Sequence, residues 1–286
     1  MRTVADRSRR IWALSGLITL AALAVPGANF VATAGDANNP PSGTPISVTR
    51  TVTVPQPVTS VTVLSYGGPV QVTAGPVRRV QGTETSSAPP GTGPVPVTQS
   101  VAGGRLVLAD PACSSSAPFC SVSFTLVVPS GVTVTAVTDG GQLTVSGVAG
   151  ADLDSGGGLV RATRIAGPLT VRTSGGPLLI DGLTGPLDAD TSSGPVTARG
   201  LGSATAIITT DGGNAQIAFT AAPDSLTVST DGGLATLTVP GGPYALTADT
   251  NGGPESVGIP TDPAARRLIT VSTGSGPLQI GPPASG

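Results

Sequence analysis

A four-residue turn signature, Thr-(Ser/Asp/Asn)-Gly-Gly with variants, recurs eight times through the second half of this 286-residue chain. It reads Thr138-Asp139-Gly140-Gly141, Asp154-Ser155-Gly156-Gly157, Thr173-Ser174-Gly175-Gly176 and Thr191-Ser192-Ser193-Gly194. It continues as Thr210-Asp211-Gly212-Gly213, Thr230-Asp231-Gly232-Gly233, Thr250-Asn251-Gly252-Gly253 and Thr273-Gly274-Ser275-Gly276. The closing glycines, Gly141, Gly157, Gly176, Gly194, Gly213, Gly233, Gly253 and Gly276, lie 16 to 23 residues apart. No unit this short buries an apolar face by itself, so neighbouring units must stack on one another.

Between the turns the hydrophobic period is two. Leu187, Ala189 and Thr191 alternate with Asp188 and Asp190, and Ala215, Ile217 and Phe219 alternate with Gln216 and Ala218. Such alternation predicts half-buried strands, two short ones per unit. The fold expected is all-β, a β-solenoid: a single-stranded β-helix-like stack of roughly 19-residue turns over 131–281. An antiparallel β-sandwich is the alternative; it accounts for the alternation but not for the fixed period. In the stack, Thr138, Thr173, Thr191, Thr210, Thr230, Thr250 and Thr273 form a ladder on the inner edge of one face, expected to be hydrogen-bonded rung to rung. The turn glycines are expected to supply positive φ, and Asp, Ser or Asn before them to accept a local backbone hydrogen bond. Proline commonly follows, as at Pro177, Pro195, Pro254 and Pro277, where the first position of a strand tolerates a missing N–H.

The two ends read differently. Residues 1–10 form a basic tail with Arg2, Arg7, Arg9 and Arg10, followed by an uncharged run over 11–34. That order predicts a membrane-spanning signal-anchor with its N-terminus in the cytoplasm. Ala32-Thr33-Ala34 has the form of a signal-peptidase site, so a cleaved signal and a secreted product is the alternative. Either way residues 35–286 are expected outside the cytoplasm. Residues 35–57, rich in Pro, Ser and Thr, read as a linker. Residues 58–130 read as a less regular N-terminal β cap, and 282–286 as a tail.

Chemistry is sparse. All 14 basic residues are arginine, histidine is absent, charged residues make up 10 % of the chain and its net charge is −2. Histidine triads and zinc ligand sets are therefore excluded, and the dispersed arginines argue against nucleic acid as a partner. No catalytic residue, cofactor or metal is expected. Cys113 and Cys120, the only cysteines, are expected to pair as a disulfide in an oxidising compartment. Asp211, Asp231 and Asn251 fall 20 residues apart and could stack around calcium, though turn capping is the simpler role. The pairs Asp152/Asp154 and Asp188/Asp190 carry the carboxylates a glycosidase needs, against which stands an ordinary solvated strand face. Arg161, Arg164, Arg172 and Arg199 could share one outer face and grip an acidic polymer; plain surface solvation is the competing role.

The N-terminal helix, the stretch Cys113-Ser114-Ser115-Ser116-Ala117-Pro118-Phe119-Cys120-Ser121-Val122-Ser123-Phe124, the segment Val127-Val128-Pro129-Ser130-Gly131-Val132 and the Ser-Gly turns together resemble the putative-adhesin β-strand-repeat family of bacterial, chiefly actinobacterial, envelope proteins, a domain of unknown function. The resemblance covers about 46–281 and implies a repeat-built fold without an established catalytic set. The chain departs from it where Pro177, Pro195, Pro254 and Pro277 replace the family's acidic residue after the turn, which puts a cation role in doubt. The expected function is a membrane-anchored, non-catalytic surface adhesin or envelope scaffold whose partner is an envelope polysaccharide or surface protein. A membrane-tethered envelope-stress component acting through residues 1–10 is the alternative, and a polysaccharide-active β-helix enzyme the second. Ice binding through the Thr ladder is more distant, since an ice face wants paired Thr columns.

Overall fold

The structure, a computed structural model, describes residues 45–90, 95–111, 113 and 120–284. The expected basic tail, the segment 11–34 and the start of the linker lie outside the described residues. Among those described, no helix is long and apolar enough to cross a membrane.

The N-terminal part comprises β1 (Ile46–Thr53), β2 (Ser60–Ser65), β3 (Val70–Gly75), β4 (Gln81–Ala88), β5 (Thr98–Ala102), β6 (Arg105–Ala109) and β7 (Ser121–Pro129). The regular part opens with β8 (Thr133–Thr138), β9 (Leu143–Ser146), β10 (Gly150–Ser155), β11 (Val160–Ile165), β12 (Leu169–Thr173) and β13 (Leu178–Leu183). It continues through β14 (Leu187–Thr191), β15 (Val196–Leu201), β16 (Thr205–Thr210), β17 (Ala215–Phe219), β18 (Ser225–Thr230) and β19 (Ala235–Thr238). Then come β20 (Ala245–Asp249), β21 (Glu255–Val257), β22 (Leu268–Ser272) and β23 (Leu278–Gly281).

These strands make two sheets. Sheet I has 12 strands in the order β1-β4-β7-β3-β9-β11-β13-β15-β17-β19-β23-β21, and sheet II has 11 in the order β20-β22-β18-β16-β14-β12-β10-β8-β2-β6-β5. From β8 to β19 consecutive strands alternate between the sheets, and from β10 on each pairs in parallel with the strand two places before it, as Leu169 does with Ala151 and Leu178 with Val160. Each turn carries the chain across to the other sheet instead of back alongside itself. The next strand in the same sheet therefore arrives one circuit later, pointing the same way, and the repeats are not an antiparallel sandwich. We call one circuit of two strands a rung.

Both ends of the stack are interleaved. The rung β2/β3 comes first in the chain, yet it sits between β6/β7 and β8/β9. At the other end the last rung, β22/β23, slots between β18/β19 and β20/β21. The region expected as a cap thus supplies two ordinary rungs, and antiparallel β1, β4 and β5 extend the sheets beyond them. Part of the expected linker is strand β1. Its alternation of Ile46, Val48 and Val52 with Ser47, Thr49 and Thr51 suits pairing on β4, and Val52 and Val54 are buried.

The core lies between the sheets, where each strand's inward residues stack in register. One column of sheet II runs Ala136, Leu153, Val171, Ala189, Ile208, Val228, Val271, and its counterpart in sheet I runs Val145, Ala162, Ile180, Ala198, Ile217, Leu237, Ile280. All of these are buried. In the rung β10/β11 a large Leu153 accompanies a small Ala162, and in β8/β9 the order is reversed with Ala136 and Val145. In these two rungs a larger and a smaller side chain share the narrow interior.

Candidate functional site

The repeated hydroxyl position is internal. Thr138, Thr173, Thr191, Thr210, Thr230 and Thr273 are buried, and Thr250 in the outermost rung is half-buried. The column is longer than seven threonines. Ser65 and Ser155 pair with Thr138 from either side, and Asp110 follows one residue beyond the Leu64–Ala109 pair. These side chains do not bridge rung to rung as expected; most of them close their own turn. The Thr191, Thr230, Thr250 and Thr273 hydroxyls donate to the carbonyl three residues on, at 2.8, 2.7, 2.9 and 2.6 Å. Those of Thr138, Thr173 and Thr210 accept the N–H three residues on, at 3.1, 3.2 and 2.9 Å. The exceptions are Ser65, which donates to the Val122 carbonyl of the neighbouring rung at 2.8 Å, and Thr210, with a long bond of 3.4 Å to the Gly194 carbonyl. Rung-to-rung bonding falls to the backbone, where the N–H groups of Ser174, Ser192, Asp211 and Asp231 donate to the carbonyls of Ser155, Thr173, Thr191 and Thr210.

The glycine column is set by stacking. A β-carbon on Gly141, Gly158, Gly176, Gly194, Gly213 or Gly233 would land on the carbonyl oxygen of the glycine one rung below. None of these six has positive φ; that conformation falls to the preceding residue in Gly212, Gly232 and Gly252. The second unit's stacking residue is Gly158, so Gly157 is not part of the column and Ser155, not Asp154, is the counterpart of Thr138. Gly253 and Gly276 exchange places, because the rung carrying Gly276 stacks directly on Gly233. For the same reason Asp211, Asp231 and Asn251 are not consecutive: the Gly274 rung separates Asp231 from Asn251. Among the described residues no three Cys, Asp or Glu side chains come together as a metal site.

Cys113 and Cys120 form the expected disulfide, with Cα atoms 5.4 Å apart. Beside it Asp110 is fully buried, its carboxylate accepting the Tyr66 N–H at 3.2 and 3.3 Å. Burial pushes its pKa up to about 6, against the pull of these hydrogen bonds. Sequence reading passed over Asp110, although it continues the alternation of Leu106 and Leu108.

What solvent meets is the alternate set of residues. On sheet II one outward column runs Thr62, Thr135, Asp152, Thr170, Asp188, Ile207, Thr227, Thr270, Thr247, and the next runs Leu64, Val137, Asp154, Arg172, Asp190, Thr209, Ser229, Ser272, Asp249. Both acidic pairs therefore share this face, one strand either side of Arg172. Arg172 lies 3.4 Å from Asp152. Burial raises the Asp154 pKa; Arg172 pulls it down, and the charges of Asp152 and Asp139 add to the rise. The four arginines do not form one cluster. Arg161, Arg164 and Arg199 are outward on sheet I, and only Arg172 is on sheet II. Near the last rungs a cavity of about 460 Å³ is lined by Asp224, Gly242, Pro243, Ala265, Arg266 and Arg267.

No family model matches the sequence, and no curated protein does. Among solved structures the fold is similar to that of a putative adhesin from Parabacteroides distasonis, at 15 % identity and a TM-score of 0.51, covering 84 % of this chain and 98 % of that one. A putative adhesin from Bacteroides fragilis matches at 14 % identity and TM-score 0.48, over 85 % and 99 % of the two chains. A putative lipid binding protein from P. distasonis matches at 12 % and 0.46, over 85 % and 98 %. None of these three is actinobacterial.

Proposed function

We propose that this chain is an exported, non-catalytic surface protein, a β-solenoid that acts as an adhesin or envelope scaffold. The observation that carries the reading is the outer face of sheet II, where nine rungs form two columns in which every position but Leu64, Val137, Arg172 and Ile207 is threonine, serine or aspartate. A regular array of hydroxyls with few long side chains loses little side-chain entropy on binding. Its repeat of about 4.8 Å per strand suits an extended polymer contacted at many equivalent points. An envelope polysaccharide or another surface protein is the partner this chemistry favours. The adhesin from P. distasonis lends the reading support through its fold alone. In this account the segment 11–34 anchors the chain in the membrane of an actinobacterial-type envelope.

The test is binding of the full chain to a panel of envelope polysaccharides and matrix proteins, with the same wells assayed for cleavage products. Saturable binding without product is the expected result. Turnover abolished by replacing Asp152, Asp154, Asp188 and Asp190 with Asn would establish the enzyme instead. Absence of binding to every panel member would overturn the adhesive reading.

A further inference from the structure

Charge on the strands is concentrated in three consecutive rungs. Of the 14 charged residues that lie in strands, nine fall in the six strands β10 to β15, while β2, β3, β8, β9, β16, β17, β18, β19, β22 and β23 carry none. Within those three rungs the sign inverts from one face to the other. In rung β10/β11 sheet I carries Arg161 and Arg164 outward and sheet II carries Asp152 and Asp154. In rung β12/β13 the signs exchange, with Asp181 on sheet I and Arg172 on sheet II. Rung β14/β15 returns to Arg199 on sheet I and Asp188 with Asp190 on sheet II. Sheet I thus reads plus, minus, plus along the stack, and sheet II reads minus, plus, minus at the same heights.

We propose that copies of this chain associate side by side, the outer face of sheet I in one copy lying against the outer face of sheet II in the next, with these three rungs in register. A simple translation across the stack brings each rung's arginines opposite the same rung's aspartates in the neighbour. The spacing matches because both faces belong to the same circuits, with about 4.8 Å between adjacent strands. Seven of the nine groups are exposed, Asp154 and Asp190 being half-buried. Arg161, Arg164, Asp181 and Arg199 make no ion pair among the described residues, where Arg164 and Arg199 meet neutral partners, Ser146 at 2.9 Å and Gln216 at 3.2 Å. On sheet II the pair Arg172–Asp152 leaves both side chains about half exposed, at 46 % and 57 %. The charged band is confined to three rungs, with neutral Thr144, Gln216, Val137 and Ile207 among the outward residues on either side. Because the two surfaces differ, the contact does not close on itself, and it extends into rows of parallel copies.

The association covers the middle three rungs of the sheet II face that carries the adhesive reading and leaves the rungs on either side open, and it is tested without that ligand. The full chain is followed by sedimentation velocity at about 20 mM and about 500 mM salt, conditions that bracket strong and weak screening. Variant I reverses sheet I with Arg161→Glu, Arg164→Asn, Asp181→Arg and Arg199→Glu. Variant II reverses sheet II with Asp152→Arg, Asp154→Asn, Arg172→Glu, Asp188→Arg and Asp190→Asn. Circular dichroism checks that both retain the fold. Wild type is expected to associate at low salt and to dissociate at high salt. Each variant alone should lose association by about tenfold or more, since its two faces then carry the same pattern. An equimolar mixture of the two should regain it, because the reversed sheet I of variant I then meets the reversed sheet II of variant II, and native sheet I meets native sheet II, each pair opposite in sign. Association indifferent to both reversals, no association of wild type at low salt, or a mixture no better than its components would each overturn the proposal.

Discussion

At the level of single residues, the glycines separate into two kinds that look alike in the sequence. Gly156, Gly157 and Gly158 are consecutive, yet a methyl group on Gly157 meets nothing within 4 Å, whereas one on Gly158 runs into the Gly141 carbonyl. Gly158→Ala is therefore expected to cost more than about 3 kcal/mol, because backbone on both rungs would have to move. Gly157→Ala should change stability by less than about 1 kcal/mol. Urea denaturation of the two variants side by side checks this. The periodicity of the glycines was legible in the sequence, but the frame of that unit was not, since only stacking distinguishes the second glycine of the run from the third. Asp110 gives a pH test of the same scale. Its folded pKa of about 6 lies above the ordinary carboxylate value of 3.8, so the folded state holds a proton that the unfolded chain has already released. Its contribution therefore grows as pH falls from about 7.5 to 4.5 and is lost as pH rises through 6. Asp110→Asn should flatten that part of the stability–pH curve, measured as the difference between variant and wild type. A wild-type stability that falls with acidification over this range, unchanged in the variant, would contradict the assignment.

Elements here are short, and each depends on its turn and on the rungs above and below. The hydroxyl column shows how a strand hands over to its turn. Thr191 is fully buried and donates to the Gly194 carbonyl at 2.8 Å, so Thr191→Val leaves a buried acceptor short of a donor. A loss of about 1–2 kcal/mol is expected, with Thr191→Ser recovering most of it, read from thermal or urea unfolding. In the strands, Leu153→Ala removes the large partner of Ala162 from a narrow core and should cost about 2–5 kcal/mol. Strand type and the inward set were legible from the alternation. The destination of each strand was not: alternate strands belong to opposite sheets, which is why Arg172 reads as a companion of Arg161 and Arg199 in the sequence and lies on the other face in the structure. The same topology made the ladder threonines internal and gave the surface to Thr62, Thr135, Thr170, Thr227, Thr270 and Thr247.

Across the whole stack, order in space departs from order in sequence at both ends. The eight-unit period does not reveal this, because a displaced rung keeps its strands, its glycine and its hydroxyl. The interleaving places β1, β4 and β5 at one end and β20 and β21 at the other, so that the sheet edges are not simply the first and last rungs. Between the ends, the molecule separates an inner column that holds the turns from outer columns that face solvent. The most direct test of that division compares two substitution pairs in the full chain, Thr135→Arg with Thr227→Arg on the outside and Thr191→Val with Thr230→Val on the inside, measuring both Tm and binding to the best partner from the panel. The account predicts that the outer pair weakens binding at least about tenfold with Tm nearly unchanged, and that the inner pair lowers Tm while binding survives below the unfolding transition. An outer pair that unfolds the protein, or an inner pair that abolishes binding in the folded state, would contradict it.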